Sequence, residues 1–163
     1  MKSLMTVLML LAAPAAAQQV ARIVPADFKI HAEPALGVCV ASDHVISARK
    51  AGMDVALVLG RDGAAEMIIQ PDRFDRKALL PQILEFTFED SMTLRAAARL
   101  KNGRFLLELH DGQKAEPLFV ALRQHSHSVI TLPLRPEDRI GLDLTTMPAV
   151  FAQLETCLAE QTQ

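Results

Sequence analysis

Two cysteines, Cys39 and Cys157, constrain this chain more than any other feature. They are the only cysteines in 163 residues, and Cys157 stands six residues from the last. A bond between them forces an early and a late segment to meet, closing a loop of more than a hundred residues. By the chain-entropy estimate such a bond stabilises the fold by up to about 5 kcal/mol. Whether it forms depends on the compartment. Lys2 is followed by an apolar run from Leu4 to Ala13, and then by the small residues Ala15-Ala16-Ala17. That pattern predicts a signal peptide over 1–17, cleaved after Ala17. The run is about half the roughly 20 residues a spanning helix needs. No cysteine follows the cleavage point to carry a lipid, and no later segment is apolar enough to cross a bilayer. The expectation is a soluble periplasmic or secreted chain beginning at Gln18, with no integral membrane segment after cleavage. An oxidising compartment favours the Cys39–Cys157 disulfide.

Removing residues 1–17 from the 163 leaves 146, which suits one domain with a real core. The net charge of −2 becomes −3 when Lys2, the only charged residue removed, is lost. That balance disfavours nucleic acid or an acidic membrane as partner. Tryptophan and tyrosine are absent, so few rings are available to stack on bases or sugars. Residues 18–37 carry Pro25, Pro34 and Gly37 with little periodicity, and are expected to form a loose lead-in with one short extended piece, Phe28 to His31. Residues 38–163 are expected to form a single β-sandwich-like domain.

Strand signals dominate the rest. "GVCVAS" predicts a strand holding Cys39. "DVALVLGRDGAAEMIIQ" has two apolar runs around Asp62-Gly63, a hairpin signal. Pro71 and Pro81 bracket a segment expected to make a helical turn or two at 72–79. From Ile83 to Arg123, Asp90-Ser91, Asn102-Gly103 and Asp111-Gly112 punctuate four strand-like runs, predicting an antiparallel meander. A two-residue Asn-Gly turn pairs Lys101 with Arg104, and outward from it Leu100 with Phe105, Ala98 with Leu107 and Ala96 with Leu109. The apolar members then share one face, while Arg95, Arg99, Leu106, Glu108 and His110 share the other. There Glu108 can reach Arg95 or Arg99 diagonally. "SVITLPLRPEDRIGLDL" adds two short strands, with Pro133 marking an edge or a strand end. "TTMPAVFAQLETCLAE" predicts a closing helix capped by Thr145 or Thr146, with Pro148 in its first turn. Met147, Val150, Phe151, Leu154, Cys157 and Leu158 lie on one stripe of it, so Cys157 faces inward. The fold class expected is mainly β: an antiparallel β-sandwich with a C-terminal α-helix disulfide-linked to an early strand.

Several residue groups suggest chemistry. His125 and His127, two apart on a strand, would point to one side and could ligate a copper or zinc ion, with His110 or Met92 as further ligands. The sequence fixes only two such ligands, and "RQHSHS" reads equally as a solvated turn between strands. Ser42-Asp43-His44 holds the residue types of a hydrolase triad, but adjacent residues do not adopt triad geometry, and there is no Gly-x-Ser-x-Gly elbow. That segment reads as a turn after the Cys39 strand. Glu89-Asp90 and Glu137-Asp138 are paired acids beside expected turns, where acids serve solubility. The cysteines form no Cys-x-x-Cys pair, and no phosphate-cradling glycine loop or EF-hand spacing occurs. Arg73, Arg76 and Lys77 make a small basic cluster that reads as a wet helix face. No catalytic residue set and no cofactor is expected.

The exported character, the early "GVCVAS" strand and the closing "DRIGLDLTTMPAVFAQLETC" strand-then-helix resemble small periplasmic β-sandwich proteins of the invasion-associated locus B type. Leu142, Leu144, Ala149, Leu154 and Cys157 match that family's late pattern. Thr146 stands where it usually has glycine, and the aromatic residues typical near its first cysteine are missing. The resemblance implies a cell-envelope β-sandwich without an established catalytic set, and carries no site over. The function expected is a non-catalytic binding or structural protein of the envelope, its partner another envelope or host protein. The alternatives are a metal-binding protein using His125 and His127, or an enzyme inhibitor presenting the Gln113–Pro117 loop or the stretch around His125.

Overall fold

The computed structural model describes residues 23–24, 27–46, 52–72, 82–132 and 135–161. The expected signal peptide, the expected helical turns beyond Asp72 and the cluster Arg73, Arg76 and Lys77 lie outside the described residues. In chain order the strands are β1 (Ile23–Val24), β2 (Lys29–Glu33), β3 (Val38–Ile46), β4 (Gly52–Gly60), β5 (Ala64–Pro71), β6 (Gln82–Phe88), β7 (Thr93–Lys101) and β8 (Arg104–Asp111). Helix α1 (Pro117–Gln124), strands β9 (His127–Leu132) and β10 (Arg135–Asp143) and helix α2 (Met147–Glu160) follow.

The strands form one continuous sheet in the order β1-β10-β9-β6-β7-β8-β5-β4-β3-β2. Every pairing is antiparallel except that of β1 with β10. The fold is thus mainly β with a closing helix. The two halves of the sheet share one core as sandwich layers do, but they are joined into a single half-barrel at β7 and β8.

Period-two burial builds that core. Cys39, Ala41 and Val45 of β3, Met53, Val55, Leu57 and Leu59 of β4, and Ala65, Met67 and Ile69 of β5 all point inward. They meet Leu84 and Phe86 of β6, Phe105, Leu107 and Leu109 of β8, and Ile130 of β9 in one cluster. Helix α2 covers the inner side of β2–β4 with Met147, Val150, Phe151 and Leu154. Cys157, farther along that stripe, is bonded to Cys39 across a sequence separation of 118.

The extended piece expected at Phe28 to His31 forms as β2, displaced by one or two residues. Residues Lys29 to Glu33 pair one for one with Ser42 to Val38, which makes β2 the edge strand of the sheet. Asn102 (φ 54°) and Gly103 (φ 78°) take the two left-handed conformations that a type I′ hairpin turn requires. The pairs Lys101–Arg104, Leu100–Phe105 and Arg99–Leu106 form as the turn dictates. Beyond them the hairpin opens, and among the described residues Ala98 and Ala96 do not pair with Leu107 and Leu109, while on the other edge of β7 they pair with Gln82 and Leu84 of β6. Arg99 donates to Glu66 at 3.0 Å and Arg95 to Glu85 at 3.2 Å, not to Glu108.

The fourth run of the expected meander is a helix. Pro117 stands in the first turn of α1, and Leu118, Ala121 and Leu122 at helical spacing carry its buried face. An unbroken apolar stretch fits either period, and the proline decides. Thr145 and Thr146 do not cap α2 with their side chains. Thr145 instead donates its hydroxyl to Asp143 at 2.6 Å.

Candidate functional site

The outer face of β2–β5 carries a groove of about 790 Å³. The outward face of an antiparallel sheet is ordinarily polar. Here Val38 and Val40 of β3, Ala56 and Val58 of β4 and Ile68 of β5 form a half-buried apolar floor. The signal for it lies in "VALVLG": apolar residues at both parities of one strand call for cover on both sides. The hairpin signal at Asp62-Gly63 accounts for the run without calling for that second cover. The charged groups lining the groove are unequal: the carboxylates of Asp27, Glu33, Asp43, Asp54 and Glu66 stand with the cations Lys29 and Arg104, and Glu66 is also paired with Arg99 at 3.0 Å. Arg104 is further held by Gln70, donating to its side chain at 2.6 Å.

One end of the groove is organised around His44. Ser42-Asp43-His44 is not a turn; it lies within β3. His44 Nδ1 is 2.7 Å from Asp54 Oδ1 on the neighbouring strand, and Nε2 is 4.0 Å from Asp72 Oδ2. Gly52 makes this possible, since a Cβ there would stand 2.2 Å from Asp72 Oδ2 and 2.8 Å from His44 Nε2. The hydrogen bond to Asp54, helped by the charges of Asp72 and Asp43 and opposed by desolvation, raises the His44 pKa above its ordinary 6.5. Ser42 and His44 share a strand face two residues apart, about 6.6 Å along the backbone. A hydrolase triad needs Nε2 directed at the serine; here Nε2 lies toward Asp72. Asp43 is bound to backbone instead of the imidazole, its carboxylate accepting from the Asp27 N–H at 2.9 Å and the His44 N–H at 2.8 Å.

His125 and His127 lie on different elements. His125 is the C-terminal cap of α1, its ring 4.6 Å from that of Phe88. His127 opens β9, its Nδ1 3.1 Å from Ser126 Oγ. Glu89 ties this corner together. It accepts from Ser126 N–H at 2.8 Å, Ser126 O–H at 3.0 Å and His127 N–H at 3.3 Å, and lies 3.5 Å from His125 Nδ1. These bonds, led by that from the Ser126 N–H, hold the Glu89 pKa down at about 2. This acid, expected to serve solubility, is a pin between the β6–β7 turn and the α1–β9 connection. Among the described residues, no group of three or more His, Cys, Asp or Glu is placed to hold a metal ion. His110 Nδ1 accepts from the Gly112 N–H at 2.9 Å, and its ring meets Phe119 edge-on at 5.8 Å. Met92 packs against the core. In the Gln113–Pro117 loop, Asp111 accepts from the N–H groups of Gln113 and Lys114, which lowers its pKa, with the Lys114 bond the larger cause. Glu137 and Asp138 lie in β10, where their side chains are outside the described residues.

The Glu89 pin gives a pH test. A depressed carboxylate contributes stability that is complete above its unfolded value of about 4.5 and is lost as pH falls toward 2. Thermal melts of the wild type are expected to fall across that window. Those of Glu89→Gln are expected to start lower at neutral pH and to change less. Parallel curves for the two proteins would rule out Glu89 as the source.

The fold and groove together define a disulfide-closed β half-barrel with a solvent-facing concave surface. No protein-family model matches the chain, and neither a curated protein nor a solved structure does. Among the described residues, no helix is long and apolar enough to cross a membrane.

Proposed function

We propose that this chain is an exported, non-catalytic binding protein of the cell envelope whose ligand occupies the groove on the outer face of β2–β5. The observation that carries the reading is the apolar floor of Val38, Val40, Ala56, Val58 and Ile68 inside an excess of carboxylates. A floor of that kind gains by excluding water, and its volume lies within the range of about 300–1,000 Å³ typical of ligand sites. The surrounding charge selects a partner with an apolar body and positive groups at its edge. The leader-like residues 1–17, the Cys39–Cys157 bond and the likeness of the closing segment to invasion-associated locus B proteins support an envelope location.

Titration calorimetry with an amphipathic peptide of leucine and lysine, against its leucine–glutamate counterpart, tests this. The lysine peptide is expected to bind, to weaken with salt, and to bind more tightly as pH rises and His44 loses the proton that offsets Asp54 and Asp72. Val58→Lys is expected to weaken it by about tenfold or more, a loss of about 1.4 kcal/mol, with the melting temperature retained. Equal affinity for both peptides, or no binding of either, would refute the proposed surface.

A further inference from the structure

The β7–β8 hairpin poses a separate question, because it starts as a regular two-residue hairpin and stops pairing after Arg99. The two strands have different outer neighbours. β7 follows β6 through six consecutive pairs, Gln82–Ala98 to Thr87–Thr93, while β8 follows β5. A register shift leaves Leu109 without a β5 partner and marks a bulge in β8; the Leu109 carbonyl instead accepts from the Glu116 N–H at 2.8 Å, and His110 bridges Ala115. Helix α1 packs against both strands at the opening, with Leu118 buried.

Along an antiparallel strand, alternate residues turn their backbone N–H and C=O to opposite neighbours. Lys101, opposite Arg104 next to the turn, faces β8, so Arg99, Ala97, Arg95 and Thr93 face that side too. Ala98, Ala96 and Leu94 face β6, where they are paired. The register therefore leaves the backbones of Ala97 and Arg95 facing the opening without a strand partner among the described residues. By the same alternation Arg104, Leu106 and Glu108 face β7, and Glu108 lies beyond the last pair. The molecule has a cleft of about 400 Å³ at this place, lined by Leu94, Arg95, Ala96, Ala97 and Glu108 together with Glu116–Leu118. The cleft and the unpaired strand edges coincide.

We propose that this slot binds an extended peptide segment, which adds to β7 as a strand. A row of backbone donors and acceptors at strand spacing is complementary to another backbone in the same conformation. The walls indicate what side chains such a segment carries. On the inner side lie half-buried Leu94 and Ala96 with buried Leu118, which favour a small apolar residue. On the outer side lie exposed Arg95, Ala97 and Glu108, which favour a polar one. The occupant alternates apolar and polar residues, and the alanines on β7 leave it room. The slot shares no lining residue with the β2–β5 groove, although its Glu108 pairs with the groove's Glu66, and the proposal does not depend on that groove.

Residue-resolved amide exchange, with and without the neutral peptide acetyl-Thr-Val-Thr-Val-Thr-amide, tests the proposal. In the free protein the amides of Arg95 and Ala97 are expected to exchange about tenfold or more faster than those of Leu94, Ala96 and Ala98. The peptide is expected to slow them, and a version N-methylated on alternate residues is expected not to. Ala97→Pro removes only a slot-facing N–H, as an edge position tolerates, and is expected to abolish the effect while the β6–β7 amides stay protected. Should that variant unfold, the N-methylated peptide on the wild type gives the same answer. Equal protection along β7 in the free protein, or no slowing at millimolar peptide, would overturn the proposal. Concentration-dependent protection of Arg95 and Ala97 without peptide would also overturn it, because the edge would then be taken by a second copy of the chain.

Discussion

The double variant Cys39→Ser/Cys157→Ser is expected to lose up to about 5 kcal/mol of unfolding free energy, most of what a domain of this size commonly has. The bond closes a separation of 118 residues, near the upper end of what chain entropy rewards. It also sits where non-covalent support is thin. The buried stripe of α2 ends at Leu154, and Cys157 and Leu158 are only half-buried. Beyond them the helix end is held by Gln161, whose side chain donates to the Val38 carbonyl at 3.0 Å, and by Arg61, which donates to the Gln161 carbonyl at 3.1 Å. Without the bond, the last turn of α2 should fray before the sheet opens. Guanidinium unfolding of both proteins, with amide exchange over 155–161, would show a lower midpoint and early loss of protection there. An unchanged midpoint would mean that the packed stripe alone fixes the helix.

Phe151→Ala is expected to cost about 3–5 kcal/mol, the usual range for truncating a buried phenylalanine. Phe151 is 2 % exposed, and its ring meets Phe119 of α1 edge-on with centroids 5.1 Å apart. The Arg123 guanidinium lies 5.3 Å from the centroids of both rings. Truncation thus removes core volume and the contact between the two helices together. Because Phe151 and Cys157 anchor the same helix, the two losses should not add. Once α2 has come away in one variant, the second change has less to remove. A double-mutant cycle in guanidinium checks this. A loss near 1 kcal/mol for Phe151→Ala alone would mean that the site collapses around the gap.

The parts of this fold that were legible in the sequence are those where two independent signals agree. Cys157 falls on the apolar stripe of its helix, and Cys39 falls in a strand whose alternate residues are buried, so the bond and the packing point to one arrangement. Asn102-Gly103 demands a tight turn, and the flanking residues have the parity to match it. Where only one signal existed, the reading stopped short. The apolar content of the 113–123 run predicts a strand, although Pro117 marks a helix start. The extent of the β7–β8 pairing is not legible, because the two strands diverge with different outer neighbours, β6 and β5, and non-local pairing leaves no mark on the hairpin itself. The same holds for the groove. Its floor residues come from three strands, and His44, Asp54 and Asp72 meet only through the β3–β4–β5 register. The Glu89 pin joins segments 37 residues apart and has no local signature. The triad reading of Ser42-Asp43-His44 fails by orientation, since the Asp43 carboxylate is bound to backbone N–H groups and it is Asp54 that meets the His44 ring.

The central claim is that the outer face of β2–β5 is the working surface of the molecule. Mapping amide chemical-shift changes in the oxidised protein during titration with the leucine–lysine peptide tests it most directly. The account predicts saturable changes concentrated at Val38, Val40, Ala56, Val58 and Ile68 and at the rim residues His44 and Asp54, with the α1–β9 corner silent. Changes centred on His125 and His127, or scattered without saturation, would contradict it.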